Sequence, residues 1–226
     1  MIFVVLGALL VLLIVAPQWW VRRTLRRHAD ERADFPGTGG ELARHLLDRA
    51  GLSDVKVEVT PDGDHYDGAA RAVRLTSPVH DGRSVTAVAV ATHEVGHALQ
   101  HAEGMPIFHW RTRLARVGMV IEKVGSVILL LTPLLGVMTR APVVVFFEIG
   151  IGLALLGSRV VVHLVTLPVE LDASFRRALP LIRDEGYLPP ADVPAAESVL
   201  KAAAWTYVAA ALISLIDVTR WIRVLR

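Results

Sequence analysis

Four apolar runs, separated by stretches of mixed polarity, organise this chain. Ile2 to Ala16, closed by Pro17 and the pair Trp19-Trp20, reads as a first membrane span. Val117 to Met138 and Ala141 to about Val165 read as a second and third, joined by the turn Thr139-Arg140-Ala141-Pro142. The fourth run, Ala202 to Ile216, is shorter and ends in Asp217, which suits a span, a re-entrant piece or a helix packed at the surface. Between the first two runs, residues 37 to 110 change period. Gly39-Gly40-Glu41 opens a helical pattern through Leu42, Leu46 and Leu47 that ends at Gly51. Val55 to Val59 alternates as a half-buried strand does, Pro61-Asp62-Gly63 supplies a turn, and Ala72 to Thr76 returns as a second short strand. Ser84 to Thr92 carries no charge and leads into a helix that Gly104 and Pro106 stop.

Composition agrees with the runs. The chain is 53% hydrophobic with a mean hydropathy of +0.48, values expected of an integral membrane protein. It has no cysteine, which excludes thiol nucleophiles, disulfides and Cys-ligated metals. The net charge of +2 decides little, but the placement of the charges predicts an orientation. Arg22, Arg23, Arg26 and Arg27 follow the first run, and Arg111, Arg113 and Arg116 precede the second, so the segment between them is expected in the cytoplasm. Arg159, Arg176, Arg177 and Arg183 return the chain to that side after the third run. A full crossing by the fourth would put Arg220, Arg223 and Arg226 outside, against the same rule, so three to four spans are expected. The basic cluster from Arg22 to Arg27 fits anionic headgroups better than nucleic acid, which is not expected as a partner.

The chemistry is concentrated in His93-Glu94-Val95-Gly96-His97. On a helix, residues i and i+4 share a face, so both imidazoles reach one cation while Glu94 leans over the open coordination position. This HExxH spacing is how a zinc hydrolase presents its metal and its base. A hydrolytic zinc site takes a third protein ligand, and none is in reach along the same helix. His101 continues the i+4 series but sits a further turn away, and Glu103 stands where the other common zincin arrangement has a third His. Three carboxylates are candidates. Glu122 lies beside Lys123, Glu148 falls mid-way along the third run, and Glu170 follows Pro168 on the side expected to hold His93 and His97. Glu170 has the best position, with Asp172 and Ser174 close enough to orient the ligands. His65, Tyr66, His163 and Arg176 are further candidate donors to the transition state. The predicted small sheet beside the metal helix also offers an edge to which an extended peptide can add, or else merely covers the helix as a hairpin.

Asp64-His65-Tyr66-Asp67, Arg74-Leu75, the stretch from Ser84 to Gln100 ending His-Glu-Val-Gly-His-Ala-Leu-Gln, and Leu167-Pro-Val-Glu-Leu-Asp-Ala-Ser174 resemble the bacterial neutral zinc metallopeptidases of the YugP-like membrane family. The similarity spans roughly residues 40 to 215. It implies His93, His97 and Glu170 as ligands of one zinc ion and Glu94 as the general base. More distantly the chain is similar to the HtpX and CAAX-prenyl protease gluzincins, in which an Asp lies four residues after the glutamate ligand. This chain has Ser174 there, and an α-helical phase turns Asp172 away from that job. The expected fold is a mainly α integral membrane protein carrying a small cytoplasmic zincin-like α+β metalloprotease domain. Its expected parts are 1–21, a transmembrane anchor; 22–116, the cytoplasmic region with the HExxH helix; 117–165, a transmembrane hairpin; 166–200, a cytoplasmic helix with the third ligand; and 201–226, a C-terminal membrane-associated helix.

The expected activity is zinc-dependent endoproteolysis of membrane-associated polypeptides at the cytoplasmic face of a bacterial cell membrane, as in membrane-protein quality control. The lipid bilayer is the other expected partner, and the sequence does not specify an oligomeric state. Two rivals make different demands. A non-proteolytic adaptor or chaperone with a structural zinc requires a closed four-ligand site, with His101 the natural fourth. A metal transporter would use Glu148 and His163 along a path, which so few spans suit poorly.

Overall fold

The computed structural model describes residues 2–139 and 142–214. In chain order the elements are α1 (Ile2–Arg27), α2 (Gly39–Arg49), β1 (Lys56–Val59), β2 (His65–Asp67), β3 (Ala72–Leu75), α3 (Ser77–His80) and α4 (Val85–Ala102). They continue with α5 (Pro106–Thr139), α6 (Pro142–Leu171), a π-helical segment (Asp172–Ala178), α7 (Leu179–Asp184) and α8 (Val193–Ser214).

Helix α2 starts at a reciprocal cap: Glu41 N–H donates to Thr38 Oγ1 at 3.2 Å, and Thr38 N–H donates to the Glu41 carboxylate at 2.8 Å. It ends before Gly51, whose φ of +71° reverses the chain. Its apolar face, Leu42, Leu46 and Leu47, is buried in a core shared with Val55, Val73, Leu75, Val88, Ala91 and Val95. The sheet runs in the order β1-β3-β2. The two strands that sequence alternation identifies are parallel neighbours, not the two arms of one hairpin. The reason lies in the connection. A parallel pair needs a crossover of about a dozen residues, which residues 60–71 supply, and β2 folds back within it to pair antiparallel with β3. The β2 strand therefore becomes an edge on the side of α4.

Helix α4 lies at the centre. It packs against α2 and α3 on one side and against the π-helical segment and α8 on the other. Ser84 caps it, accepting from Ala87 N–H at 3.0 Å, and all but one residue from Val85 to Gln100 is buried.

The expected integral membrane architecture is corrected here. Helices form over all four apolar runs, yet among the described residues no helix is long and apolar enough to cross a membrane. The apolar runs share their helices with charged turns: Arg22, Arg23, Arg26 and Arg27 in α1, Arg111, Arg113, Arg116 and Lys123 in α5, and Glu148, Arg159 and Glu170 in α6. They also pack helix on helix, α1 and α6 against α8 and α5 against α6, so apolar surface is used within the fold. The orientation argued from arginines flanking the spans falls with the spans. Asp217, Arg220, Arg223 and Arg226, which bore on the fourth run, lie outside the described residues, as does Arg140 of the expected outer turn.

Candidate metal centre

His93 and His97 sit one turn apart on α4, ring centroids 4.7 Å apart and nearly perpendicular. Glu170, at the end of α6 and fully buried, meets both: its Oε2 lies 3.1 Å from His93 Nε2 and 3.3 Å from His97 Nε2. Gly96 makes that meeting possible. A Cβ there would lie 2.9 Å from the backbone oxygen of Ala173, so only glycine lets the segment after Glu170 lie this close to α4.

The outer ring nitrogens of the cluster are held, and one carboxylate oxygen is not. Ser174 Oγ donates to the Leu200 carbonyl at 3.4 Å and accepts from His93 Nδ1–H at 3.0 Å. In the neutral ring that leaves the His93 Nε2 lone pair facing Glu170, whereas in the protonated ring Nε2–H donates to Glu170 Oε2 at 3.1 Å. Glu170 Oε1 lies 3.1 Å from Arg111 Nη2 of α5 but off the hydrogen-bonding direction, so this buried oxygen has no hydrogen-bond partner. Burial opposes charge on both partners of the pair, and their attraction overrides it. The hydrogen bond with Glu170 and the negative charges of Glu94 and Glu170 raise the His93 pKa above its ordinary value. The charge of His97, the hydrogen bonds to both rings and the charge of Arg111 hold the Glu170 carboxyl well below the usual carboxylate range.

His93, His97 and Glu170 form the one group among the described residues able to hold a metal ion, each offering a ligand atom within 4.8 Å of the others. Two imidazole nitrogens, one carboxylate and an orphaned carboxylate oxygen suit a divalent cation of borderline softness, and zinc fits that set. Glu94 is buried beside them and close enough for its charge to act on His93.

The remaining sequence candidates distribute unevenly. Asp172 and Ser174 both reach the cluster's surroundings. The chain is π-helical rather than α-helical from Asp172 to Ala178, which changes the phase of Asp172, and its Oδ2 accepts from Gln100 Nε2 at 2.8 Å. Tyr66 Oη is 2.8 Å from His101 Nδ1, so these two side chains engage each other across the edge strand and α4. His65 Nδ1 donates to the Gly63 carbonyl at 2.8 Å in a local turn. Arg176 is 84% exposed and 3.9 Å from Asp172. The side chains of His163, Glu122 and Glu148 lie outside the described residues. Sequence reading missed Gln100, Arg111 and Phe108. Gln100, three residues after His97, shares its helical face, which was a usable signal. Nothing in the sequence marks Arg111 or Phe108, whose ring packs against His97 and His101 from the start of α5.

Comparison with known proteins settles the family. The family described as "Putative neutral zinc metallopeptidase" matches residues 2–226. The chain belongs to this family. It is a zinc metallopeptidase of that group, similar to the protein named "Putative membrane protease YugP" of Bacillus subtilis, with 39% identity over 209 residues, 92% of this chain and 89% of that one. No solved structure matches this zinc metallopeptidase.

Proposed function

We propose that this metallopeptidase is an endopeptidase in which His93, His97 and Glu170 hold one zinc ion per chain and Glu94 is the general base. The observation that carries the reading is the meeting of the Glu170 carboxylate with both Nε2 atoms of the motif inside a buried cluster. When bound, zinc supplies a Lewis acid that polarises the scissile carbonyl and eases ionisation of water. Glu94 accepts the proton of the attacking water and later delivers it to the leaving amine. Ser174 keeps His93 turned to the site, and Glu170 adds the charge that makes the set selective for a cation. The edge strand β2, joined to α4 through Tyr66 and His101, is the lane along which an extended substrate would add as a strand.

An open site is favoured over a closed structural one. Among the described residues the donor group has three members, and His101, the expected fourth, is engaged by Tyr66. Association with a membrane is supported by the name of the Bacillus relative and by exposed Val117, Met119, Val120, Phe146 and Phe147, the last two 73% and 71% accessible. Membrane-associated polypeptides are then the substrates, and quality control of membrane proteins is the setting this implies.

The test is cleavage of an unfolded membrane protein by wild type and Glu94→Gln, with bound zinc quantified in the same samples. Cleavage by wild type alone at equal zinc content is expected, a loss of about 10²–10⁴-fold or more for the variant. Full activity in Glu94→Gln at matched zinc would remove Glu94 from the mechanism.

A further inference from the structure

We propose that Gln100 is a positioning residue that fixes His97 as an Nε2 donor, and that Asp172, Arg177 and Glu103 hold its amide in the one orientation that does so. This deepens the reading of His97 as a metal ligand and rests on it.

The hydrogen-bond logic begins at the amide. Gln100 is fully buried, with one end 2.9 Å from His97 Nδ1 and the other 2.8 Å from both the Val169 carbonyl and Asp172 Oδ2. A carbonyl and a carboxylate only accept, so the amide nitrogen must face them; the flipped amide would set its oxygen against two others. The amide oxygen therefore faces His97 and accepts from it. That requires a proton on Nδ1 and, in the neutral ring that binds metal, leaves the lone pair on Nε2, the atom directed at Glu170.

Asp172 is in turn gripped by an arginine. Arg177 Nε donates to Asp172 Oδ2 at 2.7 Å, and the rest of the guanidinium forks onto both oxygens of Glu103 at 2.7 and 2.8 Å. Glu103 closes the C-terminus of α4, the helix that bears His97 and Gln100. The circuit thus leaves α4, crosses to the π-helical segment and returns to α4. The π-helix is what allows it: in an α-helix residues five apart point about 140° away from each other, whereas here Asp172 and Arg177 share a face. By gripping Val169 as well, Gln100 ties His97 to the residue just before Glu170.

The test uses the full-length chain, labelled with ¹⁵N-histidine and loaded with zinc. In wild type the His97 ring is expected to bind metal through Nε2 and to carry a slowly exchanging Nδ1–H. In Gln100→Ala that proton should exchange freely, and zinc affinity by chelator competition should fall about 10- to 100-fold. Arg177→Met, at the solvent side of the circuit, should move the same two readouts in the same direction by less, and it decides the matter if Gln100→Ala does not fold. A His97 proton on Nε2, or an unchanged Nδ1–H and affinity in the folded variants, would overturn the relay while leaving the metal site intact. Ring nitrogens of His97 that do not respond to zinc in wild type would overturn the ligand reading, and the relay with it.

Discussion

Gly96 and Ala173 approach each other closely where the helix of His93 and His97 meets the segment after Glu170: a Cβ on Gly96 would lie 2.9 Å from the Ala173 oxygen and 3.3 Å from its Cα. Gly96→Ala therefore sets two effects against each other. Alanine gains about 1 kcal/mol of helix propensity, and overpacking against backbone costs about 1–3 kcal/mol. A modest fall in Tm is expected. The larger consequence is for metal, because the clash is relieved by moving the segment that carries Glu170, and a shift of a few tenths of an ångström spoils a three-ligand site. A raised Tm with unchanged zinc affinity in chelator competition would show that the contact does not govern the site.

Ser174→Ala removes the acceptor of His93 Nδ1–H in a fully buried position. The stranded ring proton costs about 1–3 kcal/mol of stability, and zinc binding is expected to weaken about 10-fold as the ring loses its orientation. The check is a denaturation curve and a zinc competition titration on the same preparation, which should change together.

Glu170→Ala is expected to abolish stoichiometric zinc, because it removes one of the three proposed ligands and, among the described residues, the carboxylate that meets both rings. Zinc content by elemental analysis is the readout. Retention of one zinc per chain would hand the third position to another side chain, with Glu122 and Glu148 the first to substitute.

What was legible in the sequence follows from the range of the interactions. The sharing of one helical face by His93 and His97 follows from spacing within one helix, and the α2, β1 and β3 segments follow from local periodicity, so this geometry is legible in the residues alone. The parallel pairing of β1 with β3 leaves a crossover that contains a third strand, His65–Asp67, too short to show a period. Asp172 was among the residues expected to orient the ligands, but its link to Gln100 was not legible, because no residue of Asp172–Ala178 announces a π-helix. Arg111 reaches Glu170 from a distant helix and could not be seen locally. The apolar runs located the helices, but among the described residues no helix is long and apolar enough to cross a membrane, because the runs share their helices with charged turns.

The His93–Glu170 pair gives the metal-free protein a pH signature. Glu170 is held well below its ordinary 4.5, so its contribution is present above about that pH and is lost as pH falls through the depressed value. The His93 pKa is raised from 6.5, so its contribution is complete below that pH and is lost as pH rises through the raised value. The two overlap between pH 4.5 and 6.5, where a protonated His93 faces an ionised Glu170. Denaturation of metal-free wild type and Glu170→Gln across pH 4 to 9 reads what Glu170 contributes with His93, His97 and Arg111, the groups that face it. The advantage of wild type should be greatest in the overlap and should shrink on the alkaline side as His93 loses its proton. An advantage that grows from pH 6 to 9 would mean that the two groups are not coupled in this way.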